Sequence, residues 1–220
     1  MGNFGRNMNQ HHNTQIYNNV AIRGEIVISD PDGSNEQVFP MNSLLKNFCC
    51  WYNQTITYIA NTIYYGKDSN NANVTFAPAN TTRVYDSTNT TYRYHAYNGI
   101  MIGTGTPVKT ADMYAMGTPI TNTTITRAAP VVSVVEDNTA GAEKTYVTIA
   151  RNITNASGGT INVTELGLTF YASSTTYVML IYDQLTYSFT NGSTKSFQIR
   201  LIVDNTVLIR NLARFLSLKL

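Results

Sequence analysis

Three histidines, two cysteines and 13 acidic residues are the side chains in this sequence with ordinary catalytic or metal-binding chemistry. His11 and His12 lie together near the N-terminus and His95 is far from both. Cys49 and Cys50 are adjacent, a spacing that does not readily reach disulfide geometry within a helix, so a reduced, partly buried pair is expected. A structural metal needs more ligands close by, and neither a metal nor a cofactor is expected. Ser-His-Asp or Cys-His chemistry would have to use His95, which reads instead as one ring on an alternating strand. Gly103-Thr104-Gly105 lacks the third glycine of a dinucleotide fingerprint and the Lys-Ser/Thr of a phosphate loop, and no helical pattern follows it. There is no Gly-x-Ser-x-Gly elbow. The acids are scattered, without the paired carboxylates of a glycoside hydrolase. Asp30 and Asp32 offer two oxygen ligands, but Asp-Pro-Asp-Gly lacks the rest of a calcium loop and reads as a turn. The expectation is a protein that is not an enzyme and has no catalytic residues.

Other residues ask for a structural role. Glu165 is a lone carboxylate inside an apolar strand: either it pins a neighbouring loop or Arg151 by hydrogen bonding, or alternation points it to solvent. Gly105 and Gly167 fall where strands end or bend, which calls for positive φ or close backbone approach. Nine Asn-x-Ser/Thr sequons occur, at Asn53, Asn73, Asn80, Asn89, Asn122, Asn152, Asn155, Asn162 and Asn191. A chain with 25 Asn and 31 Thr generates such triplets by chance. The alternative is a glycosylated external surface, with Asn73, Asn80, Asn89, Asn122, Asn155 and Asn191 as candidate sites.

These residues must be positioned by a chain of 220 residues that is 43% hydrophobic and 11% aromatic, enough apolar surface for one sizeable core. Only 13% of residues are charged, against about 25% in an average protein. Neutral Asn, Thr and 15 Tyr take their place, a mixture that favours strands and turns. A net charge of +2 argues against a dedicated nucleic-acid binder. No run of 18 apolar residues and no signal-peptide core is present, so a soluble, unprocessed chain is expected.

Residues 1–19, rich in Asn, Gln, Gly and His, read as a flexible arm. Residues 20–205 read as one β-sandwich domain. It opens with a hairpin, Val20 to Ser29 and Glu36 to Phe39, around the Asp30-Pro31-Asp32-Gly33 turn. Leu45, Phe48, Tyr52, Ile56, Ile59 and Ile63 recur at helical spacing over 42–64, predicting one amphipathic helix docked on a sheet. Residues 66–90 form a long polar loop with a short strand at Asn73 to Phe76. Strands are then expected at Tyr92 to Ala96, Gly99 to Gly103, Ile120 to Arg127, Val131 to Glu136, Thr145 to Asn152, Ile161 to Tyr171, Tyr177 to Leu185 and Lys195 to Val203. Tight turns are expected at Gly158-Gly159 and Asn191-Gly192. Residues 206–220 form a C-terminal segment suited to assembly. The fold class expected is mainly β, an antiparallel, jelly-roll-like sandwich with one helix packed on it.

Three stretches are more specific than composition: Gly103-Thr104-Gly105-Thr106-Pro107 leading through Asp112-Met113-Tyr114-Ala115-Met116 to Pro119-Ile120; Thr160-Ile161-Asn162-Val163-Thr164-Glu165-Leu166-Gly167-Leu168; and Val178-Met179-Leu180-Ile181-Tyr182-Asp183. In this order, over roughly residues 99 to 203, the sequence resembles a family of β-sandwich virion proteins from tailed phages and prokaryotic viruses. There Asp112 would be followed directly by tyrosine, and Ala-Arg often stands in place of Ile181-Tyr182. Gly103, Gly105, Glu165 and Gly167 are the motif residues carried over. The resemblance implies a virion structural protein that assembles through subunit contacts at a capsid vertex, turret or tail adaptor. Its expected partners are copies of itself, in a ring, and other virion proteins, with Trp51, Tyr64, Tyr65 and Tyr114 as anchors. The Asn, Thr and Tyr content, the sequons and the low charge suit an archaeal virus of hot acid. The rival reading is a host-recognition module whose loop 66–90, with Tyr85, binds a glycan or pilus.

Overall fold

The computed structural model describes residues 21–41, 45, 48, 65–75, 98–110, 113–120, 124–140, 143–173 and 176–204. The arm at 1–19, the helix expected over 42–64 apart from Leu45 and Phe48, most of loop 66–90, the strand at 92–96 and the segment 206–220 lie outside these residues.

The described chain is mainly β and its sheets are antiparallel. The strands are β1 (Ala21–Ser29), β2 (Gln37–Met41), β3 (Tyr65–Lys67), β4 (Asn73–Thr75), β5 (Gly99–Gly103), β6 (Ile125–Arg127), β7 (Val131–Asp137), β8 (Lys144–Asn155), β9 (Ile161–Ser173), β10 (Thr176–Phe189) and β11 (Thr194–Asp204). Six strands form one sheet in the order β2-β1-β11-β8-β6, with β7 also paired to β8. A second sheet has the order β10-β9-β5, and β3 pairs with β4 alone.

The first hairpin forms as its turn chemistry predicts. Gly33 takes φ 88°, and the pairs run from Gly24↔Met41 to Ile28↔Gln37. Asp32 Oδ1 accepts from the Ser34 N–H at 2.9 Å, and Asp30 is held by the Asn35 amide and the Lys195 ammonium. Both carboxylates thus serve the turn. Two expectations are corrected. The polar 66–90 stretch begins inside a small hairpin, because Tyr65–Lys67 pairs with Asn73–Thr75 around Asn71 at φ 63°. The strand expected over 120–127 starts only at Ile125, since the Ile120 N–H is donated instead to the Ile102 carbonyl.

Strands β8 to β11 behave as a folded-over ribbon. β8 pairs with β11 from Thr154↔Thr194 to Lys144↔Asp204, while β9 pairs with β10 in the other sheet. The ribbon crosses between sheets at two adjacent corners, 156–160 and 190–193. The glycine turns expected there as hairpin loops are therefore sheet-to-sheet crossings, with Gly158 at φ 86° and Gly192 at φ 74°.

One apolar core is shared by both sheets. Ile26, Ile28, Ile149, Ile153, Phe197 and Ile199 come from the larger sheet, and Ile100, Ile102, Leu166, Leu168, Phe170, Val178 and Leu180 from the smaller. Tyr187, Phe189 and Phe197 interlock there with centroids 5.5 to 6.3 Å apart, two of the pairs edge-on. Between Met179 and Ile181 the β10 register slips by one residue, so Leu180 and Ile181 both join this core. The opposite face of the smaller sheet buries Met101, Tyr177, Met179 and Tyr182 under Met116 and Leu45.

Candidate functional site

Glu165 lies mid-strand in β9, opposite Gly103 on β5 and Gln184 on β10. Its side chain is 0% exposed, which settles the sequence alternatives against solvent. A carboxylate in such a place is costly unless its oxygens are fully hydrogen-bonded. Here they are. Oε2 accepts the Gly105 N–H at 2.8 Å and the Thr118 N–H at 3.0 Å; Oε1 accepts the Gly117 N–H at 2.7 Å and the Tyr182 hydroxyl at 3.0 Å. Four donors meet the roughly four lone-pair directions of a carboxylate. Burial, and then the neighbouring Glu165 carboxylate, hold the Tyr182 phenol well above its ordinary range.

The donors belong to the segment after β5, which leaves the sheet and returns along its edge. Thr104 N–H bonds Thr118 O at 2.9 Å, and Gly103 bridges Pro119. Further ties hold the segment down. Thr164 Oγ1 donates to Gly105 O at 2.6 Å, Tyr177 Oη accepts from Met116 N–H at 3.0 Å, and Gln184 Nε2 donates to Pro107 O at 2.5 Å. Lys109 Nζ meets the buried Asp183 Oδ1 at 2.9 Å. What the arrangement does chemically is fasten a 15-residue excursion to the sheet.

The glycines follow from the carboxylate. A Cβ on Gly103 would stand 2.5 Å from Glu165 Oε2, and one on Gly105 would stand 2.7 Å from both that oxygen and the Thr118 nitrogen. Gly105 is thus a case of close approach, not of positive φ. Gly117 is packed the same way, an added Cβ standing 2.8 Å from Pro107 Cδ and 3.2 Å from Glu165 Oε1; sequence reasoning passed over it, although Gly117-Thr118-Pro119 carries a turn signal. Gly167 corrects the expectation: its φ is not positive and an added Cβ would sit 3.4 Å from its nearest neighbours, ordinary contact.

Arg151 does not meet Glu165. It is buried on β8, where Nε donates to Ala128 O at 2.8 Å and Nη1 to Asn98 O at 2.5 Å, joining the start of β5 to the link between β6 and β7. Burial, and then the Arg127 cation, push its pKa down to about 9.

The sequon residues scatter. Asn73 is exposed on β4 and Asn191 is exposed at a corner, while Asn80, Asn89 and Asn122 lie outside the described residues. Asn155 is 0% exposed, and its Nδ2 donates to Gly159 O at 2.8 Å and Phe189 O at 2.7 Å. Its Oδ1 accepts from Ser157 N–H and Oγ. In the folded chain that amide is spent on the ribbon corners, which Asn191 Oδ1 also bridges by accepting from Gly158 N–H at 2.9 Å. Among the described residues no cluster of three His, Cys, Asp or Glu is placed to hold a metal, and no helix is long and apolar enough to cross a membrane. His11, His12, Cys49, Cys50, Trp51, Tyr64, Tyr85 and His95 lie outside them. Comparison of the chain with protein-family models, with curated proteins and with solved structures finds no match.

Proposed function

We propose that this chain is a virion structural protein that acts by assembly rather than catalysis. Its two sheets are read as a jelly-roll-like sandwich, since a ribbon folded across two sheets, with the first described strand paired to the last, is how such sandwiches are built. One observation carries the reading: the motif stretches behind the resemblance form a single physical unit. The Gly103–Pro107 turn is bonded to Thr164 and Glu165 of the next stretch, and Tyr182 of the third, a position where this chain departs from the family pattern, also donates to that carboxylate. Two further buried carboxylates are spent inside the molecule: Asp68 accepts from the Asn70 and Ala72 N–H groups of its own turn, and Asp183 takes Lys109. Such a body offers a partner its sheet edges and chain ends. Copies of itself, in a ring, and other virion proteins are the proposed partners, and the virion the proposed location.

Sedimentation of the purified chain across a wide concentration range, and of truncations lacking 1–19 or 206–220, tests this. Concentration-dependent oligomers weakened by truncation support assembly, and imaging should place the chain within a particle. A chain that stays monomeric and binds a glycan or pilin specifically would establish the recognition reading instead.

A further inference from the structure

The sheet edges of this molecule are treated unequally. β2 bounds the larger sheet on one side and carries Pro40, which cannot donate to an incoming strand. The outer edge of β5 is covered by Pro119 and Ile120, which bond to Gly103 and Ile102. β10 is met by Leu45 N–H at Leu180 O, by Ser69 N–H at Tyr177 O and by a bridge from Asp68 to Val178. β7 has none of these protections. It pairs with β8 along Val131↔Ala150 to Asp137↔Lys144, and among the described residues no strand lies on its other side.

β7 also carries the wrong residues for a solvated edge. It contains no Lys, no Pro and no bulge, and its two charges, Glu136 and Asp137, sit together at its end, leaving residues 131–135 without the usual guards against edge-to-edge pairing. Four of its seven residues are valines, exposed to 59% (Val131), 41% (Val132), 62% (Val134) and 56% (Val135). They stand as two adjacent pairs, and since successive side chains point to opposite faces, both faces of the strand present apolar surface to water.

The sequence identifies the occupant. Val131-Val132-Ser133-Val134-Val135 reads the same in both directions, so an antiparallel copy related by a two-fold axis about Ser133 meets it with valine against valine on both faces and no charge opposite a valine. Centred on Ser133, the register sets Val131 opposite Val135 of the other copy, Val132 opposite Val134, and Ser133 opposite itself. Glu136 and Asp137 then fall beside the uncharged Pro130 and Ala129 of the other copy. A register centred on Val134 would set those acids against Val132 and Val131. We infer that β7 is a homotypic docking edge, on which a second copy of this chain pairs its own β7 antiparallel about Ser133 to make one continuous sheet across two subunits. This rests on the assembly reading and names one contact of two-fold symmetry, which joins subunits or rings in pairs and is separate from the head-to-tail contacts that close a ring.

The test uses the full chain in solution. In S133C, mild oxidation should join two copies at position 133, since paired Cα atoms about 4.5–5.5 Å apart suit a disulfide. In E136C the two equivalent positions would be six residues out of register, roughly 20 Å apart, and should not join. The unsubstituted chain serves as the blank for Cys49 and Cys50, and peptide mass mapping locates the bond. V132K/V134K sets like charges opposite one another at positions already exposed in the monomer. It should weaken self-association about tenfold or more while the circular dichroism spectrum holds. Equal cross-linking of S133C and E136C, or no bond at position 133, overturns the β7 contact even if V132K/V134K misfolds. If the chain assembles through other surfaces in that case, assembly survives and only this edge is lost; a chain monomeric at every concentration overturns both.

Discussion

Replacing Glu165 by alanine leaves the Gly105, Gly117 and Thr118 N–H groups and the Tyr182 hydroxyl without their acceptor. A hydrogen bond to a charged group contributes about 1.5–3 kcal/mol, and a buried orphan costs about 1–3 kcal/mol. Gly117 and Thr118 are exposed residues whose N–H groups can turn to water, so the losses concentrate at Gly105 and at the fully buried Tyr182. The sum is about 4 kcal/mol, which in a chain of this size lowers the melting temperature by about 10 °C. E165Q keeps one acceptor oxygen, and Tyr182 can rotate to accept from the new amide, so about half that loss is expected. Thermal melting followed by circular dichroism measures the first effect. A second readout isolates the segment: Lys109 is the single Lys or Arg between residues 98 and 120, and tryptic cleavage there should rise in both variants before the sheets open. An E165A protein that melts within about 1 kcal/mol of the parent and is cut no faster at Lys109 would show that the carboxylate does not hold the segment down.

The two motif glycines should separate cleanly in the same melts: G105A forces a Cβ against Glu165 and should cost about 2–4 kcal/mol, whereas G167A, with only ordinary contacts, should change stability by less than about 1 kcal/mol. N155D removes both amide donations at the ribbon corners and should destabilise by about 3 kcal/mol in denaturant titration; equal stability would deny the corner lock. At the first turn, hydrogen bonds from Asn35 and then Lys195 lower the Asp30 pKa, so that carboxylate contributes stability above its unfolded value of 3.8 and loses it as pH falls through the depressed folded value. D30N should therefore be less stable than the parent at pH 7, and the gap should close in strong acid; a gap unchanged at pH 2 would refute the coupling.

What the sequence made legible was local. Asp30 to Gly33 announced a hairpin because turn residues act within four positions; β8 showed as alternation because it has one core face, and β9 and β10 as apolar runs because both faces of their sheet are buried. Partnership across the chain was hidden. Glu165 could be seen as an anomaly, but its three backbone donors stand 47 to 60 residues away in an irregular segment and the fourth, Tyr182, is 17 residues on in another strand, so nothing in the spacing chose between the loop, Arg151 and solvent. Asn155 matched a sequon, and only the folded ribbon shows its amide turned inward. β7 was legible as a strand but not as an edge, since exposure depends on what lies beside it. Of the short β3–β4 hairpin only the strand at Asn73 was foreseen; its partner Tyr65–Lys67 was missed because three residues are too few to show a period.

The placement of β11 between β1 and β8 has a consequence for biosynthesis. The strand that joins the two halves of the larger sheet is the last of the described strands to emerge from the ribosome, and its partners on β1 lie up to 183 positions earlier, as in Ala21↔Asp204. Until it arrives, the β1–β2 hairpin and the β7–β8 pair are separate pieces with apolar faces uncovered. Domains that close on such distant contacts fold slowly and stay open to miscontacts meanwhile. An edge made to pair with a sister molecule is safest silent during that interval, so nascent chains are expected to need shielding by a chaperone until residue 204 has been threaded into place.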